Sequence, residues 1–205
     1  MHAFELDIPS ILPSRSNVRV LSMRPRAPDP AIAIMPRLET ERLVLRPFVA
    51  ADFDALADLL ARPEMFDMSE RGPMSREEAW TRLLRHLGQW SLSGYGIFAI
   101  LDRSDGRFIG ETGESDFRRA FGPDFDPFPE ATWSICPSRQ GQGLATEAAA
   151  AALAWCEAEA GASASVCTIN IENAPSLRVA EKLDYRAFGE RKYKGYRTRL
   201  FKRDA

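Results

Sequence analysis

Gln140-Gly141-Gln142-Gly143 runs directly into Leu144-Ala145-Thr146-Glu147 and an alanine-rich stretch. Glycines at 141 and 143 permit positive φ and let a ligand approach the backbone closely. A helix that begins at once leaves its first N–H groups without internal acceptors. Those donors, with the helix dipole, favour an anion such as a pyrophosphate. Thr146 adds a hydroxyl in the first turn. Two familiar nucleotide turns do not fit: no lysine follows as a P-loop requires, and Thr146 stands at the third glycine position of the dinucleotide fingerprint. Taken alone, the turn is either an anion cradle or a tight strand-to-helix connection with no ligand.

Acid–base candidates are carboxylates. Glu130 opens the apolar run before the turn, Glu111 and Glu114 lie on the preceding strand, and Asp124 and Asp126 sit in the loop between. A carboxylate near its ordinary value of about 4.3 needs burial or a relay water to act as a base at neutral pH. His2 and His86 are the only histidines, too few for a His-based metal site or a Ser-His-Asp triad, and no metal is expected. His86 reads as a surface or boundary residue without an obvious partner. Cys136, Cys156 and Cys167 form no CxxC, which argues against a zinc site or a disulfide framework and suits a reducing, cytoplasmic location. Nothing near Cys136 would activate its thiol, so an acyl-cysteine is not expected. Trp133 reads as core or as lining of the acceptor site.

The elements that must position these residues follow from periodicity. Residues 42–48 alternate apolar and basic side chains as a half-buried strand does. Asp52 is placed to cap a helix carrying Phe53, Leu56, Leu59 and Leu60. Ser75 and Glu78 form a capping box before Trp80, Leu83, Leu84 and Leu87 at helical spacing. Asp105-Gly106 marks a turn between two β-rich runs. A strand from Glu130 to Pro137, the turn, a helix stopped by Gly161, the apolar run 165–171, the helix 176–185 and two strands joined at Lys194-Gly195 complete the order. The class is α+β with a mixed sheet.

The chain of 205 residues, 45 % hydrophobic and 27 % charged, suits one folded domain. A formal net charge of −2 gives no global field for nucleic acid. No apolar run approaches the length of about 18 residues that a membrane span needs. Residues 1–36, rich in Pro, Arg and Ser, show no helical or strand period and read as a poorly ordered extension, with Met23 and Met35 as alternative starts. The domain is expected at 37–205.

Gln140-Gly141-Gln142-Gly143-Leu144-Ala145 resembles the Gln/Arg-x-x-Gly-x-Gly/Ala pattern with which the GNAT family of acyl-CoA N-acyltransferases binds the coenzyme A pyrophosphate. The continuation through Ala148 resembles the ribosomal-protein-alanine N-acetyltransferase branch. Residues 38–48, 106–110 and 173–185 are similar to that branch's first strand, third-strand start and last motif, in the same order over roughly 37–205. Asp184 departs from the usual glycine, and Ala180 stands where several members place a tyrosine general acid.

The resemblance implies a mostly antiparallel mixed sheet flanked by helices, with splayed central strands holding coenzyme A. Acetyl-CoA is then the acyl donor and a primary amine, of a protein N-terminus or a small molecule, the acceptor. Pantetheine is expected along the backbone of Ile135, Cys136 and Pro137, and the pyrophosphate at Gln140, Gly141, Gln142, Gly143, Leu144, Ala145 and Thr146. Asn173 is expected to contact the donor, Ser176 to bond the thiol or cap its helix, and Glu130 to be the general base or only a loop-end charge. The acidic, aromatic loop 121–131 suits a cationic acceptor. Two other readings stay open: a non-catalytic acyl-CoA-binding module, because of Ala180, and a ribosome-assembly component, because of the basic tail. Neither nucleic acid nor membrane is an expected partner, and the chain is expected to be a monomer or homodimer.

Overall fold

The computed structural model describes residues 35–67 and 72–205. All but the last two residues of the expected 1–36 extension lie outside them. Among the described residues no helix is long and apolar enough to cross a membrane. The elements are β1 (Leu38–Glu39), β2 (Leu43–Pro47), α1 (Phe53–Leu60), α2 (Arg76–Ser93), β3 (Ile97–Asp102), β4 (Phe108–Ser115), β5 (Glu130–Ile135), α3 (Leu144–Glu159), β6 (Ala164–Asn170), α4 (Ala174–Lys182), β7 (Arg186–Tyr193) and β8 (Tyr196–Asp204). They follow the order read from the sequence, and the class is α+β.

One eight-stranded sheet runs β1-β2-β3-β4-β5-β6-β8-β7. Every neighbouring pair is antiparallel except β5 with β6, which is parallel and registers only at Glu130 opposite Val166. The two strands then part. On one face, Leu43, Leu45, Phe98, Ile100 and Ile135 pack against Leu144, Ala148 and Ala152 of α3. Alanines on that helix surface let the backbone approach the sheet. On the other face, Phe48, Ile97 and Ala99 meet Leu56 and Leu60 of α1 and Leu83 of α2. Ala180, Leu183 and Tyr185 extend the first layer over Cys167, Ile169 and Phe201. β4 and β5 lie close because residue 110 is glycine: a Cβ there would stand 2.1 Å from the Ser134 carbonyl oxygen.

The capping box at α2 is present, with Glu78 N–H donating to Ser75 Oγ at 3.2 Å and Ser75 N–H to Glu78 Oε2 at 2.8 Å. Two local expectations change. Asp52 stands at the start of α1, but its carboxylate accepts both guanidinium nitrogens of Arg46 at 2.7 Å and the Val49 N–H at 2.8 Å, so it does not cap the helix. A charged bidentate partner outcompetes a backbone amide. Strand β2 is buried on both faces rather than half-buried, because α3 covers one side and the α1–α2 layer the other.

The buried carboxylates of β4 behave oppositely. Glu114, 1 % exposed, has no hydrogen-bond partner of normal geometry on either oxygen. Burial pushes its carboxyl above the usual range, and the neighbouring Ser165 hydroxyl and Cys156 thiol offset this only in part. A folded pKa above the unfolded one means stability is fully present below the unfolded value and is lost as pH rises towards the folded value. Glu114→Gln, which removes the titration, should therefore gain thermal stability relative to the parent as pH rises from about 4.3 towards 8. Melting temperatures of both proteins across that range check it; parallel curves would refute it.

Candidate active site

The geometry starts from where β5 loses β6. Backbone groups alternate sides along a strand. Val166 N–H donates to the Pro129 carbonyl at 3.0 Å, whereas Cys136 N–H donates to the Ile109 carbonyl on β4 at 2.7 Å. The N–H groups of Trp133 and Ile135 are thus directed to the side that β6 has left. Cys136 is not so directed, and Pro137 opens a short 3-10 turn, its carbonyl accepting Gln140 N–H at 3.3 Å. The strand amides turned to the open side belong to Trp133 and Ile135, and not to Cys136 or Pro137.

Gln140 ties the turn to the strand: its Nε2 donates to the Ile135 carbonyl at 2.9 Å, so this side chain replaces part of the missing ladder. Gly141 at φ +74° and Gly143 at φ +79° then reverse the chain into α3. Glu147 N–H closes the first helical turn on the Gly143 carbonyl at 3.1 Å. The amides of Leu144, Ala145 and Thr146 precede that bond and have no intrahelical acceptor. Gln142 is held from behind, its carbonyl accepting Arg42 Nη1 at 2.9 Å.

A second clamp fixes the helix start. Glu147 Oε1 accepts Thr40 Oγ1 at 2.6 Å and Arg42 N–H at 3.0 Å, and Oε2 accepts Arg42 Nε at 2.7 Å. A carboxylate in the first turn also complements the helix dipole. The sequence pattern carried Thr40, Arg42 and Glu147 separately; nothing local in it says that they meet.

A cleft of about 470 Å³ opens at this place. Of the residues expected there, Ile135, Gln140, Gly141, Gly143, Leu144, Ala145, Thr146, Asn173 and Ser176 line it, together with Trp133 and Ser134. Cys136, Pro137, Gln142 and Glu130 are not among the lining residues. Asn173 and Ser176 exchange the expected capping role. Asn173 is the N-cap of α4, its Oδ1 accepting Ser176 N–H at 3.1 Å, and the Ser176 hydroxyl is left for the cleft.

Glu130 is only 4 % exposed. It accepts Arg119 Nη2 at 2.9 Å and Thr168 Oγ1 at 2.8 Å on Oε1, and Arg119 Nε on Oε2. Arg119 in turn donates to Tyr193 Oη at 2.7 Å and lies over the rings of Phe117 and Tyr193. Glu130 is thus in a buried ion pair and is not the solvated loop-end charge that was one of its two expected readings. Arg119 comes eleven residues earlier in an irregular loop, where periodicity gives no warning of a partner.

Two of the other candidate carboxylates, Glu111 and Asp126, are also engaged. Glu111, 1 % exposed, meets Arg82 and the His86 Nε2 at 3.2 Å. Burial opposes its ionisation, but the charge of Arg82 and the contacts with His86 prevail and hold the carboxyl well below the usual range. His86 is therefore a buried partner, stacked on Phe48 at 5.0 Å, and not a surface residue. Its spacing of four from Arg82 on α2 was the signal available. Asp126 accepts the N–H groups of Phe121 and Gly122 at 2.7 Å, folding the loop on itself. Among the described residues, the acids that line the cleft are Glu64 and Asp67, after α1. Among the described residues no group of three His, Cys, Asp or Glu could hold a metal ion.

Residues 42–186 match the family model described as the acetyltransferase (GNAT) domain. Among solved structures, a GnaT-family acetyltransferase from Bordetella pertussis is 36 % identical at a TM-score of 0.75, covering 82 % of this chain and 99 % of its own. An acetyltransferase from Agrobacterium tumefaciens is 28 % identical at 0.70, covering 84 % and 96 %. A ribosomal-protein-S5-alanine acetyltransferase from Vibrio fischeri is 19 % identical at 0.67, covering 82 % and 96 %, a likeness of fold.

Removing one partner of a buried ion pair leaves the other uncompensated, at a cost of about 3–5 kcal/mol. Glu130→Gln keeps the shape and part of the bonding, so a loss of stability of about 1–3 kcal/mol is expected. Denaturant unfolding measures it. A variant as stable as the parent would contradict the anchoring role.

Proposed function

Because the chain belongs to the GNAT acetyltransferase family, we propose that it moves an acetyl group from acetyl-CoA to a primary amine by direct attack. The observation that carries this reading is the single β5–β6 pair at Glu130 and Val166, which leaves a cleft ending on the open amides of α3. The pyrophosphate lies on the amides of Leu144, Ala145 and Thr146. Pantetheine runs along β5 and bonds the outward groups of Trp133 and Ile135. The thioester oxygen accepts one of those N–H groups, which stabilises the charge that develops on it.

The amine lone pair attacks the carbonyl carbon, the C–N bond forms, the nitrogen loses its proton to water and the C–S bond breaks. The thiolate carries the departing electron pair and accepts a hydrogen bond from Ser176. A thiol near 8.5 leaves without full protonation, so Ala180 in the tyrosine slot is tolerable. With Glu130 held by Arg119, the acceptor reacts from its own neutral fraction. Positioning of donor and acceptor is then the main source of rate. Glu64 and Asp67 on the cleft wall support a cationic amine, such as a protein N-terminus, as the arriving group. The site of action is the cytoplasm, and no metal takes part.

A non-catalytic acyl-CoA-binding role is the second reading. Ala180 is fully buried beneath Leu183 and Tyr185 and offers no general acid.

Thiol release from acetyl-CoA with peptides, polyamines, amino acids and aminoglycosides separates the two. Turnover with at least one amine is expected; coenzyme A binding without turnover would favour the second reading. For a peptide acceptor, kcat/KM should rise with pH to a plateau set by an α-amino group near 7.7–8.0. A plateau that does not move when the acceptor's basicity is changed would mean that the protein supplies a base. Ser176→Ala should lower kcat by about 3- to 10-fold with KM nearly constant, as loss of one hydrogen bond to the leaving group implies.

A further inference from the structure

Arg42, in the turn between β1 and β2, is not among the residues lining the cleft, yet its guanidinium grips the back of the turn that does line it. Its Nη1 donates to the Gln142 carbonyl at 2.9 Å, and its Nε and Nη2 reach Glu147 Oε2 at 2.7 and 2.6 Å.

The grip on Gln142 orients a peptide. Among the described residues every peptide bond is trans, and in a trans peptide the carbonyl and the following N–H point in opposite directions. With the Gln142 carbonyl turned to Arg42, the Gly143 N–H is turned away from it. Gly143 lines the cleft, whereas Gln142 does not. No hydrogen bond among the described residues engages that N–H. Gly143 stands at φ +79°, but glycine takes negative φ as readily and would accept the flipped peptide too. The glycine permits both arrangements, and Arg42 selects one.

The grip on Glu147 cancels a charge. Glu147 lies in the first turn of α3. Burial opposes its ionisation, but the Thr40 hydroxyl and the amide and guanidinium of Arg42 prevail and hold the carboxyl below the usual range. An anion thus stands within a turn of amides suited to receive one. Left alone it would repel a pyrophosphate; paired with Arg42 it adds no net charge.

We propose that Arg42 is a positioning residue for the donor, which aims the Gly143 N–H at the pyrophosphate and neutralises Glu147 behind it. The assignment rests on the donor reading above. It gives the site a determinant that lies outside the cleft and 100 residues away in the chain.

Calorimetric titration of the whole chain with coenzyme A tests it, on the parent, Arg42→Ala, Glu147→Gln and the double variant. Arg42→Ala should bind roughly tenfold or more weakly, as loss of one oriented amide and release of a like charge imply. Glu147→Gln should stay within about threefold of the parent, because Arg42 still holds Gln142. The double variant should bind about threefold better than Arg42→Ala, because no carboxylate is left unpaired. A clamp that only anchored the helix start would suffer equally from loss of either partner, with no recovery in the double variant. That pattern, or an unchanged affinity of Arg42→Ala, would overturn the proposal. Arg42→Lys keeps the charge without the fork and covers the case in which Arg42→Ala does not fold. It should bind about three- to tenfold more weakly than the parent at the same melting temperature, and parental affinity would refute the role of the fork. Failure of the parent to bind coenzyme A would overturn the donor reading itself and this proposal with it.

Discussion

Everything at the cleft depends on β5 and β6 pairing at one position and no further. A parallel pair needs a crossover, and here the crossover is α3. The helix must therefore start just beyond the carboxyl end of β5, at the place where the strands separate. Ligand sites in sheets with parallel neighbours gather at such ends for the same reason. The divergence leaves backbone groups of β5 without a ladder. Gln140 satisfies one of them, and the turn that positions Gln140 also presents the helix amides. The strand gap and the open amides of α3 are thus one construction.

Arginine–carboxylate pairs hold this construction in register. Arg42 joins the β1–β2 turn to α3 through Glu147, Arg82 joins α2 to β4 through Glu111, and Arg119 joins an irregular loop to β5 through Glu130. The Glu111 and Glu130 pairs are largely buried, and such pairs add little net stability compared with apolar packing, but breaking one is costly. Their effect is to penalise every arrangement in which the elements meet differently. Glu114 stands apart as a buried carboxyl with no such partner, pushed above the usual carboxyl range by burial.

Much of this could be read from the sequence, where the relevant forces are local. The α2 capping box, the Gly143 reversal into α3 and the Lys194-Gly195 turn depend on neighbours within a few residues. The cradle around Gln140 was legible for the same reason, and its order among other motifs pointed to the family. Side-chain partners were not legible. Periodicity told neither that Glu130 and His86 are buried nor that Arg119 and Glu111 wait there. The exchange of roles between Asn173 and Ser176 turned on where α4 begins, a shift of two or three residues that propensities do not resolve. The loop 121–131 carried acids in a suggestive composition, yet Asp126 serves its own backbone.

The tether between Arg42 and the turn at Gln142 spans 100 residues of chain, and that between Thr40 and Glu147 spans 107. A motif that looks self-contained in the sequence is thereby completed by the first strands of the domain. Thr40 and Arg42 are made about a hundred residues before the groups they bond. Contacts of such separation form slowly, because the loop must close before they contribute. The full set of bonds at this turn accordingly waits on the closure of a loop of about 100 residues.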